Sequence, residues 1–141
     1  MGYGYIKDFD TWNIQAKALN QRIFDDFFHE REIWWCALGV NIGSEQDGKN
    51  ESFERPILII KKISADLMLI APLTSKVSND KYRIETDSTG QSGQILLSQI
   101  RVISSRRLLR KICRVKLIVF RKAIVRLSLL LLNLLEIETP P

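Results

Sequence analysis

The chain has 141 residues, of which 45% are hydrophobic and 26% charged, and it carries a formal net charge of +5. That length matches a common single-domain size and can bury a real core, so a second globular domain is not expected. The excess of Lys and Arg favours a polyanionic partner, nucleic acid first, because clustered cations gain free energy by releasing phosphate counterions.

In chain order, a Gly-rich start leads to Asp10, which can cap a helix from Thr11 to Phe28. Trp12, Ala16, Leu19, Ile23 and Phe27 recur three or four positions apart on one face of it, so this helix needs a surface to lie on. From Glu32 the period changes to two. Ile33, Trp35 and Ala37 alternate with Trp34, Cys36 and Leu38, as in a strand covered on both faces. One of Trp34 and Trp35 is expected in the core, leaving the other to stack on a base or on the N-terminal helix. Residues 39–53 are polar and Gly-rich, and so long a loop in a compact domain is usually functional or disordered. Arg55–Lys61 reads as a second strand with Pro56 near its start, and Leu67–Ala71 as a third, ended by Pro72. Weaker strands follow at Tyr82–Glu85 and Ile95–Val102, separated by a turn-rich stretch over 87–93. Ser104 or Ser105 can cap a short basic helix through Arg106, Arg107, Leu108 and Leu109. A last helix, Lys116–Leu135, carries Phe120, Ile124, Leu127, Leu131 and Leu134 on one stripe. Its apolar run from Leu127 to Leu135 is about half of what a membrane span requires, which makes it a buried helix.

Cys36 and Cys113 sit in apolar surroundings, with no second Cys or His near either in sequence to complete a metal site, so reduced, packed thiols are expected. The first residues lack the basic start and apolar run of a secretion signal, which points to the cytoplasm. Short strands in series with a few helices indicate a mainly β, α+β fold built on a small, strongly curved sheet or barrel.

Four segments carry most of the functional information: Glu32 Ile33 Trp34 Trp35, Gly43 Ser44 Glu45 Gln46, Arg55 Pro56 Ile57 Leu58 Ile59 Ile60, and Pro72 Leu73 Thr74 Ser75. Polar side chains able to contact a phosphate or hydroxyl (Glu45, Arg55, Thr74) stand in a loop or at the end of an apolar run. Together with Ile95 Leu96 Leu97 Ser98 Gln99 Ile100 Arg101, and in this order, the segments resemble the MazF/PemK family of type II toxin-antitoxin endoribonucleases. The resemblance covers about residues 30–112 and extends to the C-terminal helix. It implies an SH3-like barrel of the CcdB/MazF type, a homodimer, and metal-independent cleavage of single-stranded RNA to a 2′,3′-cyclic phosphate and a 5′-hydroxyl. It also implies a cognate antitoxin protein, operator DNA contacted only through that antitoxin, and no cofactor. On this reading the chain divides into an N-terminal helical extension, residues 1–30, and a toxin domain, residues 31–141.

Cleaving RNA through its own 2′-hydroxyl needs a proton acceptor, positive charge on the crowded phosphate, and help for the departing oxygen. His29 is the sole histidine, which excludes a two-histidine pair. Glu45 is the candidate base, and Arg55 the candidate phosphate clamp, since a guanidinium offers several fixed donors. Thr74 can give a hydroxyl to the same phosphate. The expected RNA contacts are Gln46, Lys49, Ser75, Lys76, Lys81, Arg83, Gln99 and Arg101. Unpaired RNA suits such a site because its bases can splay and stack.

Plainer roles compete with each assignment. Glu45 can be an ordinary solvated carboxylate, Arg55 a partner of Glu54 or Glu51, Thr74 a strand-end hydroxyl, and His29 a structural residue where the first helix ends. The stretch from Asp47 to Glu54 is longer than in many relatives, and Ser98 stands where many carry an acid, so an Asp-based mechanism is not transferred. Two other functions share the fold or its remnants: a non-enzymatic CcdB-like poison that binds DNA gyrase, and an inactive RNA-binding relative.

Overall fold

The computed structural model describes residues 5–24, 27–86 and 93–138, with side chains to 135. Residues 25 and 26 of the expected first helix, and residues 87–92 of the expected turn, lie outside that description. The elements are α1 (Phe9–Gln21), β1 (Glu32–Ala37), β2 (Glu54–Lys62), β3 (Leu67–Thr74), β4 (Arg83–Thr86), β5 (Gly93–Leu96), β6 (Arg101–Ser104), β7 (Leu108–Arg114) and α2 (Leu117–Glu138). Among the described residues the strands form one bent antiparallel sheet, ordered β4-β5-β3-β2-β1-β7, with β6 also on β3. It is the barrel-like, unclosed, mainly β fold with a helix at either end that the sequence leads one to expect.

Alternation along β1 and β2 builds a core on each side of the sheet. Ile33, Leu58 and Ile60 join Ala71, Ile95 and Val115 on one side, where Ala123, Leu127 and Leu130 of α2 close the cluster. Trp34, Cys36, Ile57 and Ile59 join Met68, Ile70, Ile103 and Leu108 on the other, covered by Phe24 and Phe28. Trp34 is therefore the core tryptophan, while Trp35 is half-buried with the Arg110 guanidinium 5.0 Å above its ring.

Several boundaries differ from those read in the sequence. The helix cap is Asp8, whose Oδ1 accepts from the Thr11 N–H at 3.0 Å, and Asp10 lies in the first turn. The helix stops at Gln21 because Arg22 turns extended and anchors its guanidinium on the Arg106 and Leu108 carbonyls. Beyond that point Phe24 and Phe28 pack inward, leaving Ile23 89% and Phe27 82% exposed. Pro72 does not end the third strand. It pairs with Ile57 and falls where β3 changes partner on its other edge, between Ile70, opposite Arg101, and Leu73, opposite Ile95, so its missing N–H breaks no ladder. The run Ile95–Val102 is not one strand. A 3-10 turn at Leu97–Gln99 sends β5 to one end of β3 and β6 to the other. The basic helix expected after Ser104 is one 3-10 turn, Ser105–Arg107, followed by β7, an edge strand that pairs with β1 through two irregularities. The stripe foreseen on the last helix also divides: Phe120, Ile124 and Leu127 face the core, while Leu131 and Leu134 are 45% and 54% exposed. No helix of the described residues is long and apolar enough to cross a membrane.

Glu32 ties β1 to its surroundings. Only 4% exposed, its carboxylate accepts from the His29 N–H at 2.8 Å and the Trp34 indole N–H at 3.1 Å, and it meets the Lys111 ammonium at 2.8 Å. Burial pushes its pKa up, but Lys111, Trp34 and the His29 N–H together outweigh burial and hold it below the usual range. Stability from this group is thus present above the unfolded carboxylate value and lost as pH falls through the lower folded value. Thermal melts from pH 7 down to 3 should show a Tm loss for the wild-type chain that is smaller in Glu32→Gln. At pH 7 the variant should be less stable by about 1–3 kcal/mol, since it leaves Lys111 without its counter-ion. A pH dependence identical in the two proteins would remove Glu32 from the acid transition.

Candidate active site

Arg55 enters from the second residue of β2, opposite Cys36 of β1, and is 7% exposed. Its Nε donates to the Asp47 carbonyl at 2.7 Å and its Nη1 to the Leu73 carbonyl at 3.1 Å, tying the 39–53 loop to β3. Nη2 has no hydrogen-bond acceptor among the described residues. Arg55 does not pair with Glu54 or Glu51; the Glu54 carboxylate is held by Arg110, with both contacts at 3.1 Å. Burial lowers the Arg55 pKa while Asp47 and Tyr5 draw it back up. The guanidinium nonetheless keeps its charge at neutral pH.

The loop carrying Glu45 is closely knit. Buried Asp47 accepts from the Asn41 N–H at 2.7 Å, and the Asn41 amide donates to the Leu38 and Gln46 carbonyls. Gln99 clasps the loop from outside, its Oε1 accepting from the Gln46 N–H at 2.9 Å and its Nε2 donating to the Ser44 carbonyl at 2.9 Å. The longer stretch after Asp47 forms a small hairpin on the rim of the site, in which Lys49 and Glu54 exchange both backbone hydrogen bonds. Gly48 is required there, because a Cβ would stand 1.7 Å from the Phe53 carbonyl oxygen. Phe53 is held at φ 51°, a conformation that costs an L-residue roughly 1–2 kcal/mol. Its ring meets Trp12 of α1 edge-on at 5.6 Å, and Gln15 of α1 donates to the Ser52 carbonyl at 2.8 Å. Trp12 in turn lies over Gly39, where φ is +78° and a Cβ would sit 2.1 Å from the indole.

These segments enclose a cleft of about 690 Å³. Glu45, Arg55 and Thr74 all line it, as do Gln46, Lys49, Lys76 and Arg83. The Glu45 side chain is exposed, and the half-buried Thr74 hydroxyl oxygen accepts from the Lys76 N–H at 3.2 Å. Arg83 is braced by Asp80 at 3.0 Å and donates to the Lys76 carbonyl at 2.8 Å.

The other expected contacts stand elsewhere. Ser75 and Gln99 are outside the cleft lining, Gln99 serving as the loop's clasp. Arg101 is half-buried and donates to the Leu38 carbonyl at 3.2 Å, and Lys81 lies against Tyr82, its carbonyl accepting from Arg126 of α2. His29 is 3.6 Å from Glu32 at the far end of β1. Both cysteines are free: burial pushes the Cys36 thiol up to about 12 and raises that of Cys113.

Sequence reasoning passed over Tyr5, Lys7 and Asp47. The Tyr5 hydroxyl donates to Asp47 Oδ2 at 3.0 Å, and the Lys7 ammonium stands 3.3 Å from the same oxygen while donating to the Gly43 carbonyl at 2.8 Å. A tyrosine and a lysine spaced two apart in a Gly-rich start carry no signal of a contact made some forty positions later.

The family model described as the PemK-like, MazF-like toxin of type II toxin-antitoxin systems matches residues 29–131. In fold the chain is similar to MazF from Deinococcus radiodurans, with a TM-score of 0.64, 23% identity, and coverage of 76% of this chain and 98% of that one. It is also similar to MazF in the MazE-MazF structure from the same organism, with a TM-score of 0.58, 19% identity and coverage of 75% and 97%. A mycobacterial endoribonuclease in complex with its cognate antitoxin gives a TM-score of 0.57, 14% identity and coverage of 74% and 95%. No curated protein matches the chain.

Proposed function

The chain belongs to the PemK-like, MazF-like toxin family of type II toxin-antitoxin systems, and on that footing we propose that it is a cytoplasmic toxin that cuts single-stranded RNA. The reading is supported chiefly by one observation: Glu45, Arg55 and Thr74, drawn from three separate segments, line a single cleft. In the proposed reaction the 2′-oxygen attacks the adjacent phosphorus as its proton passes to Glu45. The bond from phosphorus to the 5′-oxygen breaks, leaving a 2′,3′-cyclic phosphate; the departing oxygen takes a proton from water in the open cleft, and the hydroxide so formed takes the proton back from Glu45. Arg55 Nη2 and the Thr74 hydroxyl donate to the phosphate oxygens, whose negative charge grows in the transition state. Lys49, Lys76 and Arg83 hold the flanking phosphates, and no metal is needed for any of these steps.

The test is incubation of the purified protein with a long unstructured RNA in EDTA, followed by mapping of the cut ends. Discrete cuts ending in 2′,3′-cyclic phosphate and 5′-hydroxyl are expected, and RNA that stays intact would overturn the reading. The silencing partner on this proposal is a cognate antitoxin. The protein itself is a homodimer in which a second copy covers the outward face of α2, where Val125, Leu129 and Leu132 are each more than half exposed. Light scattering should give twice the chain mass, and a monomer at high concentration would contradict the dimer.

A further inference from the structure

The segment before α1 forms one wall of the cleft, although the family match begins only at residue 29. Its attachment is polar and many-sided. Lys7 spans the loop between the Gly43 carbonyl and Asp47, and the Tyr5 hydroxyl shares Asp47 Oδ2 with that ammonium. The Asp47 carboxylate, which would otherwise repel phosphate, is 8% exposed and neutralised by Lys7. Tyr5 itself is 66% exposed. Its hydroxyl is fixed at one end while its ring stays open to solvent, on a cleft whose other aromatic lining residue, Phe53, is buried against Trp12. An aromatic face tethered at the edge of a basic cleft is what an unpaired base stacks on, and such stacking tolerates any base because each has a π-face.

We propose that Tyr5 is a nucleobase subsite: its ring stacks on an unpaired base of the RNA strand beside the phosphate that Arg55 holds. The subsite rests on the endoribonuclease reading and extends it to a residue outside the family's span. Tyr5 contributes to substrate binding and leaves the bond-breaking step to Glu45, Arg55 and Thr74.

The experiment uses the full chain with Tyr5→Ala, Tyr5→Phe and Tyr5→Trp. Kd is measured for an unstructured RNA oligonucleotide made uncleavable by 2′-O-methylation, and KM and kcat for the cleavable form. Tyr5→Ala should raise Kd and KM about tenfold or more with kcat within about twofold, whereas Phe and Trp should stay near wild type because each keeps a ring. All three variants lose the hydroxyl's bond to Asp47, so any fall in Tm should be shared by them, while the loss of RNA affinity is confined to Tyr5→Ala. If the wild type cuts RNA and Tyr5→Ala binds and cuts equally well, the subsite is wrong and the function stands. If Tyr5→Phe is as weak as Tyr5→Ala, the hydroxyl's hold on Asp47 explains the loss and stacking is refuted. A variant impaired only in binding a protein antitoxin would assign Tyr5 to that interface and likewise overturn the proposal. A wild type that neither binds nor cuts RNA would bring down the function and the subsite together.

Discussion

Arg55→Ala is expected to lower kcat on single-stranded RNA by at least about 10²-fold, the scale of losing one preorganised donor to a developing oxyanion. Arg55 offers more than a charge. Two of its nitrogens are committed to the Asp47 and Leu73 carbonyls, which aims the remaining Nη2. Arg55→Lys should therefore fail nearly as badly, because an ammonium on a flexible stem cannot bridge two carbonyls and still present an aligned donor to the phosphate. Both variants should remain folded but less stable by about 1–3 kcal/mol, since a charged link between the 39–53 loop and β3 is lost. Single-turnover cleavage, measured well below each variant's melting temperature, separates the two effects. Wild-type cleavage by either folded variant would remove Arg55 from the proposed mechanism.

The sequence was most legible where one physical rule governs a segment. Strict alternation placed Ile33, Leu58 and Ile60 on one side of the sheet and Trp34, Ile57 and Ile59 on the other, as burial on both faces demands. It was misleading where a local pattern serves more than one structure. The stretch from Arg106 to Leu109 suits a short basic helix, yet only Ser105–Arg107 makes a 3-10 turn and Leu108 opens an edge strand whose Arg110 and Lys111 reach Glu54 and Glu32. Phe24 and Phe28 fit the spacing of a helix, yet the chain has already left α1; Phe24 meets Trp34 edge-on at 6.1 Å and Phe28 packs against Phe24 at 6.2 Å.

The candidate site was legible in part for the same reason. Glu45, Arg55 and Thr74 stand in segments whose order carried a family resemblance, and they do line one cleft. Their supports were invisible. Gln99 was read only as an RNA contact, and its amide also holds the Ser44 and Gln46 backbone. The stretch from Asp47 to Glu54 is longer than in many relatives, and Glu45 still lines the cleft. The hairpin is held by Trp12 and Gln15, so the features that set this chain apart, the N-terminal extension and the longer loop, pack on each other. Contacts of this kind, between residues dozens of positions apart, leave no periodicity behind.

Glu45→Gln supplies the sharper test of chemistry because it changes almost nothing else. The Glu45 side chain is exposed, and its loop is fixed by backbone bonds, by Asp47 and by Gln99, so an isosteric amide should leave Tm unchanged. An amide cannot accept the 2′-proton, and the loss of a general base is expected to reduce kcat by about 10² to 10⁴-fold. KM should move little, because the interaction lost belongs to the transition state alone. Thr74→Val, which deletes one hydroxyl donor, should show the same split with a smaller fall in kcat. Combined with Arg55→Ala, Glu45→Gln should cost less than the product of the single effects, since the residues act on one reacting phosphate. Steady-state kinetics on a single cut site measures each of these quantities. A Glu45→Gln protein that keeps its kcat and loses only affinity would make the carboxylate a positioning group and leave the proposed 2′-hydroxyl chemistry without its base.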